Sequence, residues 1–431
     1  MYQKRRQRFM EKLPDNSIAL FFSGKAPYKV GDEKYPFSVD RSYYWMTGLD
    51  KENMILLVGN IQGMTYKYLL IETYDEEVAK WVGGRILPED ASYISEIEEI
   101  YEVGDLWDTL SSIFSRMFNN MEKIDVYADF TKQEAFQEDS EAIRFSKELL
   151  QRYPHINLLN VAPIMAELRM IKDEDEIKKL TKAISITKEA IENMMKHAHG
   201  GIYENELEAY FDFVLKMNQC EHSFSSIIAG GKNATILHYD DNNQKVKDRS
   251  LVLCDLGASY QYLNADITRT FPVNGKFTKR QRQIYEIVLK GNKKIIEMVK
   301  PGLTLKDLNN ALLTFYQKEL SAIGLLKHGK QISDYYWHGV SHMLGLETHD
   351  VSIAGYKLKP GNVFTIEPGL YLEDENIGIR IEDNVLVGAR CIILKGVTIG
   401  ARSIIGSGSI VTKDIPSDCI AAGNPCKVIK S

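Results

Sequence analysis

A chain of 431 residues, 44% hydrophobic and 26% charged, is long enough for two or three domains, each with its own core. With 53 basic against 59 acidic side chains it carries a formal charge of -6, no electrostatic footprint for nucleic acid, so a polyanion partner is not expected. Five cysteines, at 220, 254, 391, 419 and 426, form no CxxC pair, which argues against a disulfide framework or zinc knuckle and fits a reducing cytoplasm.

The start, MYQKRRQRFMEKLPDNSIALFF, has basic residues and then only the short apolar run 18–22, too brief for the core of a signal peptide. No later stretch approaches a membrane-spanning length. Residues 1–165 mix apolar runs (SIALFF, NMILLVG, YKYLLIE, KIDVYADF) with polar helical stretches, which predicts an α/β domain around a buried sheet. In the stretch before Thr47 and Gly48, the tyrosines and Trp45 read as core aromatics.

The texture changes near residue 165. Ile177, Leu180, Ile184 and Ile191 fall at helical spacing, Asp173 and Glu176 form a capping box, and Gly200 with Gly201 ends that helix. A second helix over about 204–218 follows, then strand-rich sequence over 224–271, a helical pair spanning about 278–325, and further strands to about 387. Helices and strands come in groups rather than in strict alternation, so the expected class is α+β, with a second domain over 166–386.

The remaining residues, 387–431, obey another rule. Ile381, Val387, Ile393, Ile399, Ile405 and Val411 recur every six residues, and the positions four further on (Val385, Cys391, Val397, Ser403, Ser409, Ile415) are mostly small or β-branched. This is the hexapeptide pattern of a left-handed β-helix, with corner glycines at 388, 400 and 406.

Chemistry concentrates between these regions. LVLCDLGASYQYLNADITRTF carries Asp255 at the end of an apolar run and Asp266 at the start of the next, and a hairpin between them would put both carboxylates on adjacent strands. HGVSHMLGLETHD adds His338, His342 and His349, TIEPG adds Glu367, and GIRIED adds Arg380 and Glu382. His338 and His342 at i and i+4 are not a zincin pair, because Gly339 stands where that motif needs its glutamate. Four carboxylates, two divalent ions and one neutral imidazole sum to zero charge, which makes a buried two-metal site electrostatically acceptable. Ligands of this kind suit manganese, cobalt, ferrous iron or zinc.

The set Asp255, Asp266, His342, Glu367 and Glu382, within LCDLGA, NADITRTFPVNGKF, HGVSHMLGLETHD, TIEPG and GIRIEDNV, resembles the pita-bread metallopeptidases, aminopeptidase P above all, over about residues 165–387. KRRQRFMEKLPDNSIALFFSG and DEKYPFSVDRSYYWMTGLDKENMILLV resemble the amino-terminal domain of the same family. The resemblance implies two divalent ions, manganese first, with Asp255 chelating one, Asp266 and Glu382 bridging both, and His342 with Glu367 completing the other. A hydroxide bridging the metals would then attack the bond before a proline at the second position of a peptide.

The remaining roles also follow from the resemblance. His238 in NATILHYD and His349 match positions that stabilise the oxyanion, Glu367 would pass a proton to the leaving nitrogen, and Arg380 would orient groups behind the ligands. His338 would line the proline side of the pocket, and Trp81 in AKWVGGRIL resembles a residue offered by a neighbouring subunit, the alternative being a buried structural side chain. A homodimer or homotetramer, without nucleic acid or membrane, is implied. A prolidase restricted to dipeptides and a peptide-binding pseudoenzyme are the alternatives.

From about Val387 the chain resembles hexapeptide acyltransferases, whose I-G-D-N-V is here I-E-D-N-V, the glutamate being what a metal site requires. The tail is too short for a continuous solenoid core and holds no histidine, the last in the chain being His349, so no acyl transfer is expected.

Overall fold

The computed structural model describes residues 1–72, 74–83, 85–115 and 123–387, with 392–393, 398, 400, 404–405, 410–411, 413–417, 419–422 and 426–430 beyond them. Two compact units divide the chain, Met1–Leu168 and Arg169–Ser431.

In the first unit the apolar runs become strands of one six-stranded sheet. Its order from one edge is Glu99–Glu102, Met64–Ile71, Ile55–Ile61, Ser17–Phe22, Asp125–Ala128 and Asn157–Asn160. Ser17–Phe22 is buried at every position, as a strand covered on both faces must be, and pairs antiparallel on one side and parallel on the other. Helix Arg41–Thr47 is capped by the Asp40 side chain and buries Tyr43, Tyr44 and Trp45, so these are core aromatics. Trp81, on helix Glu76–Val82, is 89% exposed, which overturns the reading of a buried structural tryptophan. Its ring has no core in its own unit to fill.

The second unit packs two helix pairs against strands. Helix Glu174–His197 starts at the Asp173–Glu176 capping box and, with helix Glu204–Met217, covers the sheet made by Ile227–Gly230, Leu251–Leu256 and Ile267–Pro272. Helices Lys279–Met298 and Leu305–Ala322 bury Ile284, Val288, Ile295, Leu308, Leu312 and Tyr316 against Phe364, Ile366, Leu370 and Ile379 of the later strands and Ile381 between them. Those strands pair as Val363–Ile366 with Asp383–Leu386 and Gly369–Leu372 with Ile377–Arg380, both antiparallel. The segment holding His338, His342 and His349 forms no helix, which removes the structural basis for a zincin.

Of the tail, Ile392–Ile393 pairs parallel with Ile410–Val411, so Ile393 lies beside Val411, three hexapeptides on. Ile404–Ile405 pairs parallel with Ile420 and Ala421. Gly400 is a glycine because a Cβ there would meet Ser417 N at 2.2 Å. The expected positions Cys391, Val397, Ile399, Ser403 and Ser409 and the corners at 388 and 406 lie outside the described residues. Ile381 packs in the core beneath helices Lys279–Met298 and Leu305–Ala322, and Val385 pairs with Phe364 in the strands of the second unit, so the first expected repeat is absorbed by that unit. No helix among the described residues is long and apolar enough to cross a membrane.

A buried ion triad fixes where the histidine segment ends. Arg169 Nη2 and Lys172 Nζ each lie 2.6 Å from a different oxygen of Asp350, the residue after His349, with all three side chains nearly inaccessible. Burial would raise the Asp350 carboxyl, but Lys172 and Arg169 outweigh it and hold it below the usual range. Gly345 sits over the triad, where a Cβ would meet Asp350 Oδ2 at 2.1 Å. Replacing Asp350 by Asn strands two cations in the interior, and the expected loss in urea unfolding is about 3–5 kcal/mol. Because the folded carboxyl titrates below its unfolded value of about 3.9, the contribution is complete above that pH and vanishes as pH falls through the lowered folded value. A loss under 1 kcal/mol by the same measurement, on the order of a surface pair, would refute this role for the triad.

Candidate metal centre

Asp255 lies near the end of strand Leu251–Leu256 and Asp266 immediately before strand Ile267–Pro272. The two strands are antiparallel, with Asp255 opposite Thr268. They diverge into the two-residue turn Gln261–Tyr262, both residues at positive φ (50° and 65°), closed by the pairing of Tyr260 with Leu263. Gly257 makes the close approach possible, since a Cβ there would lie 1.9 Å from Ala265 O, the carbonyl just before Asp266.

Glu367 and Glu382 arrive on the other strand group. Asn292, buried on helix Lys279–Met298, donates to Ile366 O at 3.1 Å and to Ile381 O at 3.2 Å, and so pins the backbone immediately ahead of both glutamates. Glu382 N donates to Thr268 O at 3.1 Å, joining this group to the Asp255–Asp266 sheet. His342 N donates to Thr365 Oγ1 at 3.1 Å, and that hydroxyl is 3.2 Å from Glu367 Oε1.

The side chains converge. His342 Nε2 is 3.4 Å from Asp266 Oδ2 and 3.4 Å from Glu367 Oε1. Asp266, His342 and Glu382 offer three potential ligand atoms within 4.8 Å of one another. Asp255 and Glu382 share one hydroxyl, Thr268 Oγ1 lying 2.5 Å from Asp255 Oδ1 and 3.0 Å from Glu382 Oε2. Buried Arg380 donates through Nε to Thr268 Oγ1 (2.9 Å), through Nη1 to Tyr371 OH (3.1 Å), and through Nη2 to Asp255 Oδ2. Although Arg380 ends its strand and Glu382 follows it, the two side chains meet on the same threonine.

These groups form a poor site for protein alone and a good one for cations. Burial, and then the neighbouring carboxylates, push Asp266 and Glu382 well above the usual range. Glu367 is raised by burial, with His342 and Arg380 opposing. Asp266 Oδ1 and Glu382 Oε1 are buried without a hydrogen-bond partner, a cost that coordination would remove. His342 Nδ1 sits 3.1 Å from Met343 O, and the proton assigned to it by that contact leaves the Nε2 lone pair facing the carboxylates. The donor set and the orphaned oxygens therefore fit divalent cations.

His338 and His349 lie beside this centre. His338 accepts at Nε2 from Tyr371 OH (2.9 Å) if Nδ1 donates to Gly339 O (2.8 Å), completing a directed chain from Arg380 through Tyr371. Its 3.8 Å approach to Glu367 is no ion pair at neutral pH, because burial and then Arg380 lower the imidazole to about 4. The His349 ring lies 4.1 Å from that of His342, and burial, His342 and His238 lower its pKa. His238 is exposed, and its electrostatic influence reaches both His338 and His349.

Three contributors were not anticipated. Thr268 follows Asp266 by two residues in NADITRTF, a spacing that puts both on one strand face. Tyr371, four residues past Glu367, has no such signal. Asn292 lies among Ile287, Val288 and Ile295 on the buried side of its helix, which marks it as a polar side chain with a specific partner.

The chain was compared with known proteins. The model of metallopeptidase family M24 matches residues 178–389, that of the aminopeptidase P amino-terminal domain residues 2–121, and that of the hexapeptide repeat of succinyl-transferase residues 378–413. A Xaa-Pro aminopeptidase of Haemophilus influenzae is 32% identical over 90% of this chain and 91% of its own. This chain belongs to the aminopeptidase P group of family M24. It is a metalloaminopeptidase in kind. The Escherichia coli Xaa-Pro aminopeptidase is 29% identical over 90% of this chain and 92% of that one. Among solved structures, zinc-substituted E. coli aminopeptidase P in complex with product superposes with a TM-score of 0.80 at 28% identity, covering 90% of this chain and 92% of that chain. A candidate aminopeptidase P from Bacillus anthracis reaches 0.86 at 42% identity, with the same two coverages. The M24 and hexapeptide matches overlap at residues 378–389, the stretch containing Glu382.

Substituting Gly257 by Ala is expected to force the Asp255 and Asp266 arms apart, lowering bound metal measured by elemental analysis and kcat/KM by about tenfold or more. Full metal content with unchanged kcat/KM would show that the arms tolerate the Cβ.

Proposed function

We propose that this aminopeptidase P homologue removes the first residue of peptides with proline at the second position, using two divalent cations held by Asp255, Asp266, His342, Glu367 and Glu382. The observation that carries the reading is the pair of orphaned carboxylate oxygens on Asp266 and Glu382 beside the His342 Nε2 lone pair. Manganese is the first choice, with cobalt, ferrous iron and zinc also chemically suited. Two such ions would make water acidic enough to attack near neutral pH and would polarise the scissile carbonyl.

The chain's own groups do the rest. His349 and His338, neutral at pH 7 by their lowered pKa values, have no charge to repel the cations, and His349 with His238 would donate to the oxygen on which charge develops. Glu367, held at Oε1 by Thr365, keeps Oε2 for carrying a proton to the departing proline nitrogen. Arg380 and Thr268 hold the carboxylates of Asp255 and Glu382 in fixed directions, while Tyr371 and His338 line the wall expected to face the proline ring. An X-Pro bond is a tertiary amide without N–H, so a wall with no acceptor to satisfy suits it.

Trp81, exposed in its own unit, is assigned to the pocket of a neighbouring subunit in a dimer or tetramer, and the cytoplasm to its location. The carboxy-terminal tail is assigned no acyl transfer.

With manganese, the protein is expected to release the first residue from a tripeptide X-Pro-Y, and Glu382→Ala or Glu367→Ala to reduce kcat by more than about 100-fold. A chelator should abolish turnover and added manganese restore it. Hydrolysis confined to the dipeptide X-Pro would instead identify a prolidase, and peptide binding without hydrolysis a pseudoenzyme.

A further inference from the structure

We propose that Glu204 is a positioning residue for His238, fixing the loop that holds this imidazole at the rim of the metal centre. The inference rests on the donor role assigned above to His238. Residues 230–244 contain little regular structure beyond the short turn Gly231–Thr235, yet they carry an exposed side chain that must be placed accurately to act on a substrate oxygen.

Glu204 is the first residue of helix Glu204–Met217 and is wholly buried. Four donors converge on its carboxylate. Gly230 N (2.7 Å) and Asn233 Nδ2 (2.9 Å) reach Oε1, while Tyr239 OH (2.7 Å) and Gln244 N (2.8 Å) reach Oε2. The donors come from the beginning, the middle and the end of one loop, and Tyr239 is the residue next to His238. Four donors match the acceptor capacity of a carboxylate, so the side chain is satisfied with no ligand of its own.

Its backbone contributes as well, Glu204 N donating to Gln244 O at 3.0 Å. One turn further along the same helix face, Glu208 accepts from Asn242 Nδ2 at 3.1 Å. Asn242 also donates to Ser226 O (2.8 Å) and accepts from Ile228 N (2.9 Å), tying the loop's far end back to the strand before it. The helix thus grips the loop at two successive turns.

The gripped loop lies against the chemistry. Ala234 and Tyr239 share a buried cluster with Leu253 and Tyr371, and Tyr371 holds His338 and Arg380. Gly378, two residues before Arg380, packs so closely on the loop that a Cβ would meet Ala234 O at 1.8 Å. A loop released from Glu204 would lose the placement of His238, whereas the hydrogen bonds described above for Asp255, His342, Glu367 and Glu382 do not involve Glu204. The role is therefore separable from metal binding.

A double-mutant cycle tests it. Glu204→Gln puts an amide NH2 where the backbone N–H of Gln244 or Gly230 needs an acceptor, and Tyr239→Phe removes one of the four donors without the ring, a milder change should E204Q fail to fold. E204Q is expected to lower kcat for X-Pro-Y by about tenfold or more, with smaller effect on KM and unchanged metal content, and Y239F by less. Both losses should disappear in a H238A background, because a misplaced imidazole and a missing one are equivalent. Losses of equal factor with and without His238, or wild-type kcat in both variants, would overturn the positioning role while leaving the donor role intact. Wild-type kcat in H238A would remove the donor role and this inference with it.

Discussion

Four carboxylates cannot share a dry pocket unless something positive joins them. In this chain Asp255, Asp266 and Glu382 are buried and Glu367 nearly so, with the Arg380 guanidinium bonded to Asp255 and the His342 ring beside Asp266 and Glu367. The raised titration of Asp266 and Glu382, first through burial and then through neighbouring carboxylates, expresses that conflict, while Glu367 is raised by burial against the pull of His342 and Arg380. Much of the second unit serves to impose it. Gly257 permits the close hairpin, Asn292 pins two strand ends, and the Asp350 triad anchors the histidine segment. A fold that stores electrostatic strain at one point is one built around the ions that relieve it.

Much of this architecture could be read from residues alone because its signals are local. The capping box at Asp173 and Glu176 and the helical spacing after it gave a helix that the structure places at Glu174–His197. The apolar runs of the first unit became strands of one sheet because a strand buried on both faces must be apolar throughout. Asp255 and Asp266 were expected on paired strands; Asp255 lies in one of them, facing Thr268, and Asp266 immediately precedes the other.

What escaped was the support that acts across long sequence distances. Asn292 reaches the carbonyls before Glu367 and Glu382, and Glu204 reaches a loop up to forty residues on, contacts that no periodicity encodes. Tyr371 and Thr268 are ordinary residue types whose importance comes from where Arg380 points. Trp81 shows the opposite difficulty, since composition alone could not separate an exposed tryptophan from a buried one. At the carboxy terminus, Ile381 fits the hexapeptide spacing yet is buried in the core shared with helices Lys279–Met298 and Leu305–Ala322, so a repeat register and a metallopeptidase strand coincide over Glu382.

The most direct test is anomalous diffraction from crystals grown with manganese. Two peaks are predicted within the pocket, contacted by Asp255, Asp266, His342, Glu367 and Glu382, with Asp266 and Glu382 touching both. A pocket without metal under saturating manganese, its carboxylates hydrogen-bonded to one another, would contradict the account.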